Sequence, residues 1–208
     1  MSIFEALVLG LIQGLTEFLP VSSSGHIELG AYFLGVDNAD NLLFSIIVHG
    51  STALSTIVIF RQYIRHLILE VLKFQWNDST KFIIKIVISM VPVAIVGLFF
   101  EDKITALFTG LILFVASMLV ITGLLLLLTN FSSSRGKDIS YMHSLIIGLS
   151  QAAAILPGIS RSGSTIATAL LLGIDKSQAA RFSFLMVLPP ILGATLLKVI
   201  DFAGAPQS

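Results

Sequence analysis

The chain has 208 residues, of which 55% are hydrophobic and only 12% charged, and its mean hydropathy is +0.97. Soluble domains carry about a quarter charged residues, so this composition excludes one and points to an all-α, multi-span membrane protein. A formal net charge of zero gives no basic surface for nucleic acid, and the absence of cysteine excludes disulfides and thiolate metal sites.

Residues 3–40 open the chain. The N-terminus lacks a basic leader, and Gln13 and Glu17 interrupt its apolar run, so it does not read as a signal peptide. An apolar half-helix is followed by a Pro/Ser/Gly break, Pro20-Val21-Ser22-Ser23-Ser24-Gly25-His26, and then by a second short apolar piece. Neither piece is long enough to cross a bilayer comfortably. The pattern predicts a re-entrant helix–loop–helix hairpin with its break buried in protein.

Three spans of the ~20 residues a bilayer requires come next, at 41–60, 81–100 and 104–129. Loop charge orients them. The 61–81 connection carries Arg61, Arg65, Lys73 and Lys81, and the 130–141 loop carries Arg135 and Lys137. The 101–103 turn holds Glu101, Asp102 and Lys103. Basic loops stay cytoplasmic, which places 61–81 and 130–141 inside and 101–103 outside. Residues 142–177 then repeat the half-helix, break and half-helix pattern, and 179–200 is a fourth span.

The two broken segments match at one constant offset. Gly10 matches Gly148, Gln13 matches Gln151, Ser22 matches Ser160, Ser24 matches Ser162 and Gly25 matches Gly163. Gly35-Val36-Asp37 matches Gly173-Ile174-Asp175, Phe44-Ser45 matches Phe182-Ser183, and Pro20 matches Pro157 with a one-residue slip. Counting spans puts the copies in opposite orientations, so the reading is one membrane domain of inverted-topology repeats, 1–138 and 139–208. The second copy lacks equivalents of 81–100 and 104–129, so a C-terminal pair of spans is expected to be missing. One side of the second hairpin then faces lipid or another protomer.

Ionisable groups at membrane depth are costly and default to a functional reading. Gly10, Gln13, Gly14 and Glu17 fall on one helical face directed at the first break, matched by Gly148, Gln151, Ala152 and Ile155. The glycines read as close packing. Gln13 and Gln151 suit a packing hydrogen bond and a substrate contact equally. Ser22, Ser23 and Ser24 offer hydroxyls, and one or two of them suit a helix cap. With Glu17 and His26 they make a nucleophile–base–orienter set. His49 lies in a span and reads as structural. In the second break, Ser160-Arg161-Ser162-Gly163-Ser164-Thr165 opens a half-helix whose free N–H groups seat phosphate, and Arg161 adds a forked cation. An Arg161–Glu17 ion pair is the alternative use of that charge.

The stretches QGLTEFLPVSSSGH and PGISRSGST resemble the two signature motifs of the undecaprenyl-pyrophosphate phosphatases, the bacitracin-resistance family. The likeness runs over essentially the whole chain. It implies removal of the terminal phosphate of undecaprenyl pyrophosphate, which recycles the lipid carrier of peptidoglycan synthesis, and a multi-pass place in the bacterial inner membrane with the site reached from the outer face. It implies Glu17, Ser23, His26 and Arg161 as catalytic residues. It implies Gln13, Ser22, Ser160, Ser162, Gly163 and Thr165 as substrate-binding ones. Gln13 stands where many members have glutamate. A divalent cation, Mg²⁺ or Ca²⁺, is expected at Glu17. Either Ser23 attacks with His26 as base, or His26 attacks and forms a phosphohistidine, with Glu17 orienting His26 or holding the cation. The expected partners are a polyprenyl pyrophosphate lipid and the bilayer, with homo-oligomerisation left open. A polyprenyl-phosphate flippase is the alternative, since broken helices meeting at mid-membrane are also transporter architecture.

Overall fold

The computed structural model describes residues 1–36, 38–107, 111–132 and 136–204; at 38–43, 45, 46, 101–106 and 197–204 it describes the backbone alone. Asp37 and Arg135 lie outside the described residues, as do the side chains of Ser45, Glu101, Asp102 and Lys103.

The described residues are helical throughout, apart from turns and one isolated parallel bridge between Lys137 and Ile174. The helices are α1 (Ile3–Phe18), α2 (Ser23–Leu34), α3 (Asn38–Ile59), α4 (Arg61–Val71), α5 (Asp78–Leu107), α6 (Ile112–Leu128), α7 (Tyr141–Ala153), α8 (Arg161–Leu171) and α9 (Lys176–Gly204). A short 3-10 turn, Thr129–Phe131, extends α6.

Local chemistry sets several of these ends. Ser2 caps α1 and Ser140 caps α7, each through a reciprocal box with the residue three places on, Glu5 and His143. Ser22 caps α2 and Ser160 caps α8. Gly35 and Gly173 adopt left-handed conformations just past α2 and α8. The starts of α1, α2 and α3 at Ile3, Ser23 and Asn38 therefore recur at Tyr141, Arg161 and Lys176, the same offset that relates Gly10 to Gly148.

Among the described residues, three helices are long and apolar enough to cross a membrane: Asp78–Phe100, Ile112–Phe131 and Lys176–Leu196. The span expected at 41–60 coincides with α3, whose described apolar stretch is the shorter Ile47–Ile59. The span expected at 104–129 begins only at Ile112. Phe100 (φ −127°, ψ 16°) breaks the α5 geometry where the apolar run ends, and the helix then resumes to Leu107. Pro92 in α5 and Pro189 and Pro190 in α9 lie inside their helices, as membrane spans tolerate.

α1 folds back on α2, and α7 on α8. α7 also lies along α5, where a Cβ on Gly148 would sit 2.4 Å from the Ser89 carbonyl oxygen. α3 packs on α9, and α6 touches both α2 and α8. The main core joins Ile86 of α5 and Ile147 of α7 to Phe182, Leu185 and Met186 of α9. Edge-to-face contacts run from Tyr63 to Phe82 and on to Phe182, each with ring centroids 5.8 Å apart.

Candidate functional site

The two breaks touch. A Cβ built on Gly163, at the start of α8, would lie 2.6 Å from the carbonyl oxygen of Pro20 in the first break. One built on Gly25, at the start of α2, would lie 3.1 Å from the Cα of Gly158 in the second. Each half-helix thus opens against the other's break, and only glycine permits the approach. Gly158 adds a positive φ of 92° and stands against the Val115 carbonyl of α6.

Both half-helices are closed by the same bond. Ser22 Oγ accepts from Gly25 N at 3.3 Å, and Ser160 Oγ accepts from Gly163 N at 2.9 Å. The hydroxyls of Ser22 and Ser160 and the N–H of Gly163, expected on the substrate, are engaged in capping. Ser162 Oγ lies 3.3 Å from Ser160 Oγ, as Ser24 Oγ lies 3.5 Å from Ser22 Oγ. Thr165 is buried; its hydroxyl donates to the Arg161 carbonyl at 2.9 Å and lies 2.5 Å from Ser183 Oγ. It braces the first turn of α8. The N–H groups of Ser23, Ser24, Arg161 and Ser162 carry no hydrogen bond among the described residues, so both half-helices present donors and the positive end of a dipole.

The carboxylate sits on α1. Ser23 donates its hydroxyl hydrogen to Glu17 Oε2, and Gln13 Nε2 donates to the same oxygen at 2.8 Å. His49 Nε2, from α3, approaches that oxygen to 3.9 Å. His49 is therefore beside the site, where its sequence context read as structural. Glu17 Oε1 has no hydrogen bond among the described residues.

His26 is held separately. Its Nδ1 donates to the Ser22 carbonyl at 2.7 Å, because a carbonyl can only accept. The neutral ring then keeps its lone pair on Nε2. No hydrogen bond joins His26 to Ser23 or to Glu17 among the described residues, so the backbone of Ser22, not Glu17, orients the imidazole. Ser22 adopts a left-handed conformation (φ 71°), costly for a residue with a side chain, and its carbonyl also receives the backbone N–H of His26 at 3.2 Å. His26 lines an open, apolar cavity of about 350 Å³ with Val21, Leu119, Val120, Thr122, Gly123 and Leu126.

The Arg161 guanidinium, half-buried at the first position of α8, carries no ion pair or hydrogen bond among the described residues. The Arg161–Glu17 pair weighed from the sequence does not form. Thr122 of α6 is a site residue that sequence reasoning missed. Its buried hydroxyl donates to the Gly158 carbonyl at 3.2 Å and accepts from Ser160 N at 3.1 Å, which pins the second break. Gln13 and its counterpart Gln151 are both buried; Gln13 Oε1 and the whole Gln151 amide have no partner among the described residues. Gln151 has no carboxylate to meet, because the position matching Glu17 holds Ile155; α7 stops at Ala153 and leaves that residue in the turn, off the helical face expected for it.

Among the described residues no three His, Asp or Glu side chains cluster as metal ligands. Mg²⁺ needs no such cluster where one carboxylate and substrate phosphates hold it, and Glu17 Oε1, without a hydrogen bond among the described residues, would be the oxygen to offer. The donor set fits a cation that arrives with a phosphate ligand.

A family model described as Bacitracin resistance protein BacA matches residues 6–208. Curated relatives named undecaprenyl-diphosphatase align over nearly all of the chain. The protein from Christiangramia forsetii is 58% identical over 93% of this chain and 74% of its own length. That from Bacteroides thetaiotaomicron is 53% identical over 96% of the chain and 76% of its own length. That from Halothermothrix orenii is 41% identical over 97% and 76%.

Proposed function

The chain belongs to the bacitracin resistance protein family, and from that premise we infer that it is a bacterial membrane phosphatase acting on undecaprenyl pyrophosphate. It removes the terminal phosphate and returns undecaprenyl phosphate, the lipid carrier used in cell-wall synthesis. The observation that carries this reading at the level of the site is the junction of the two breaks. A hydroxyl bonded to a carboxylate opens one half-helix, a guanidinium without a partner among the described residues opens the other, and the two helix starts interlock.

We propose the following roles. Arg161 and the free N–H groups of the two half-helices hold the pyrophosphate as a forked cation and a dipole end. Ser23 Oγ attacks the terminal phosphorus and its proton passes to Glu17 Oε2. The anhydride P–O bond breaks, undecaprenyl phosphate leaves, and a phosphoserine remains. Water attacks that phosphoserine and gives a proton to His26 Nε2; the Ser23 Oγ–P bond breaks, Ser23 Oγ takes its proton back from Glu17 Oε2, inorganic phosphate leaves, and His26 passes its proton to solvent. Gln13 steadies Glu17. A divalent cation, when bound, would be held by Glu17 Oε1 with the pyrophosphate oxygens and would neutralise phosphoryl charge. The apolar cavity beside His26 suits the first isoprene units of the lipid.

We further propose that the chain is one membrane domain of two inverted copies, 1–138 and 139 onward, each opening with a re-entrant hairpin. The recurrence of helix starts, caps and left-handed glycines at one offset supports the copies, and basic loops inside support the inversion. The domain would sit in the inner membrane with the site open to the outer face.

The test is release of inorganic phosphate from undecaprenyl pyrophosphate by the purified chain in detergent. The expected result is turnover that Arg161→Ala abolishes. Lipid transfer across vesicles without phosphate release would instead identify a flippase.

A further inference from the structure

We propose that His49 is a positioning residue for Glu17, and so for the transfer of the Ser23 proton. This rests on the phosphatase reading above. Three groups from three helices converge on one carboxylate oxygen, Glu17 Oε2: Gln13 Nε2 from α1, Ser23 Oγ from α2 and His49 Nε2 from α3 at 3.9 Å. The imidazole and the carboxylate are 17% and 18% exposed, so little water competes for either. Gln13 is on the carboxylate's own helix, four residues back, and fixes its height along α1. His49 reaches it from a third helix, α3. It fixes the carboxylate laterally, with Oε2 on Ser23 and Oε1 left open to the ligand.

The comparison between the two copies supports the pairing independently. The glutamine and the capping serine recur at Gln151 and Ser160, but the positions of Glu17 and His49 hold Ile155 and Val187. The copy without the carboxylate also lacks the imidazole. A histidine serving only to pack α3 would have no reason to follow the carboxylate.

The test uses phosphate release by the full chain carrying His49→Leu, His49→Gln or His49→Asn, with folding checked by thermal unfolding in detergent. Loss of an orienting partner should lower kcat roughly ten- to a hundredfold, while KM moves less than about threefold, because the effect lies in the chemical step. Glutamine places an N–H near the imidazole Nε2 position and should recover most of kcat; asparagine is one carbon too short and should not. If His49→Leu fails to fold, the Gln–Asn contrast decides alone. A wild-type kcat in His49→Leu, or equal losses in Gln and Asn, overturns the inference while leaving the phosphatase reading intact. An inactive wild-type chain removes that reading and this inference with it.

Discussion

Ser23 and Arg161 hold the same place in two matching structures: each is the first residue of a half-helix capped by the serine before it. One position carries a hydroxyl bonded to a carboxylate, the other a cation with no partner among the described residues. Like backbones have been given unlike chemistry, and the interlocked breaks set the two half-helix starts against each other.

Arg161→Lys keeps the charge and loses the fork. Turnover should fall on the order of a hundredfold, since a point charge cannot grip two phosphate oxygens in one plane. Phosphate release and thermal unfolding measured on the same preparation check this; a folded variant of normal activity would show that charge alone suffices.

Ser23→Ala should abolish turnover and leave no trapped phosphoenzyme. His26→Ala should slow release by about 10²–10⁴-fold, the usual worth of a general base, and should let phosphoenzyme accumulate. Label trapped on the wild type should resist acid, as phosphoserine does. An acid-labile label would reassign the attack to His26 Nε2.

Gly163→Ala and Gly158→Ala should each destabilise the chain by about 1–3 kcal/mol. A Cβ on Gly163 meets the Pro20 carbonyl at 2.6 Å, and one on Gly158 meets the Val115 carbonyl at 2.4 Å with φ at 92°. Gly97→Ala, inside α5 with nothing within 4 Å, is the control and should stabilise slightly, by up to about 1 kcal/mol. Midpoints of thermal unfolding that fall equally in all three would mean that neither close approach is tight.

Thr122→Val should cost about 1–3 kcal/mol, because it leaves the Gly158 carbonyl and the Ser160 N–H buried without partners. Phosphate release should fall with it, since Ser160 caps the helix that Arg161 opens. Thr122→Ser keeps both bonds and should behave as wild type in both assays.

Asp175 precedes α9, where its Oδ1 accepts from Ser177 Oγ at 2.6 Å and Ser177 N at 2.9 Å. The Ser177 hydroxyl, followed by the backbone N–H groups, holds its carboxyl below the ordinary carboxylate range. A depressed folded-state value means this stabilisation is complete above the unfolded-state value and disappears as pH falls through the depressed one. The melting midpoint of wild type should therefore exceed that of Asp175→Ala at neutral pH, and the gap should close in acid. A gap independent of pH would contradict this.

Much of this was legible in the sequence because polar letters are rare in an apolar chain. Glu17, His26 and Arg161 stood out against their surroundings, and Gly, Gln and Ser recur at the same spacing that relates the starts of α1, α2 and α3 to those of α7, α8 and α9. What escaped was lateral. Thr122 and His49 sit in apolar helices with ordinary neighbours, and only the packing of α6 and α3 brings Thr122 to the second break and His49 to Glu17. Bond directions escaped as well. Spacing put Glu17 and His26 in one set, but Ser23 takes the carboxylate while the strained Ser22 backbone takes the imidazole. The end of α7 was misjudged because apolar Ala154 and Ile155 continue the helical pattern, whereas Pro157 and Gly158 need room to turn.

The interlocked breaks also constrain how the chain is made. Pro20 and Gly25 leave the ribosome well before Gly158 and Gly163, the residues they meet. At ~5–20 residues per second, synthesis of the intervening chain takes roughly seven to thirty seconds. For that interval Glu17 and the serines of the first break are already synthesised, while the partner break has yet to be made. A nascent chain stalled before residue 158 holds half a site, and the insertion machinery must shelter its polar break until the other half arrives.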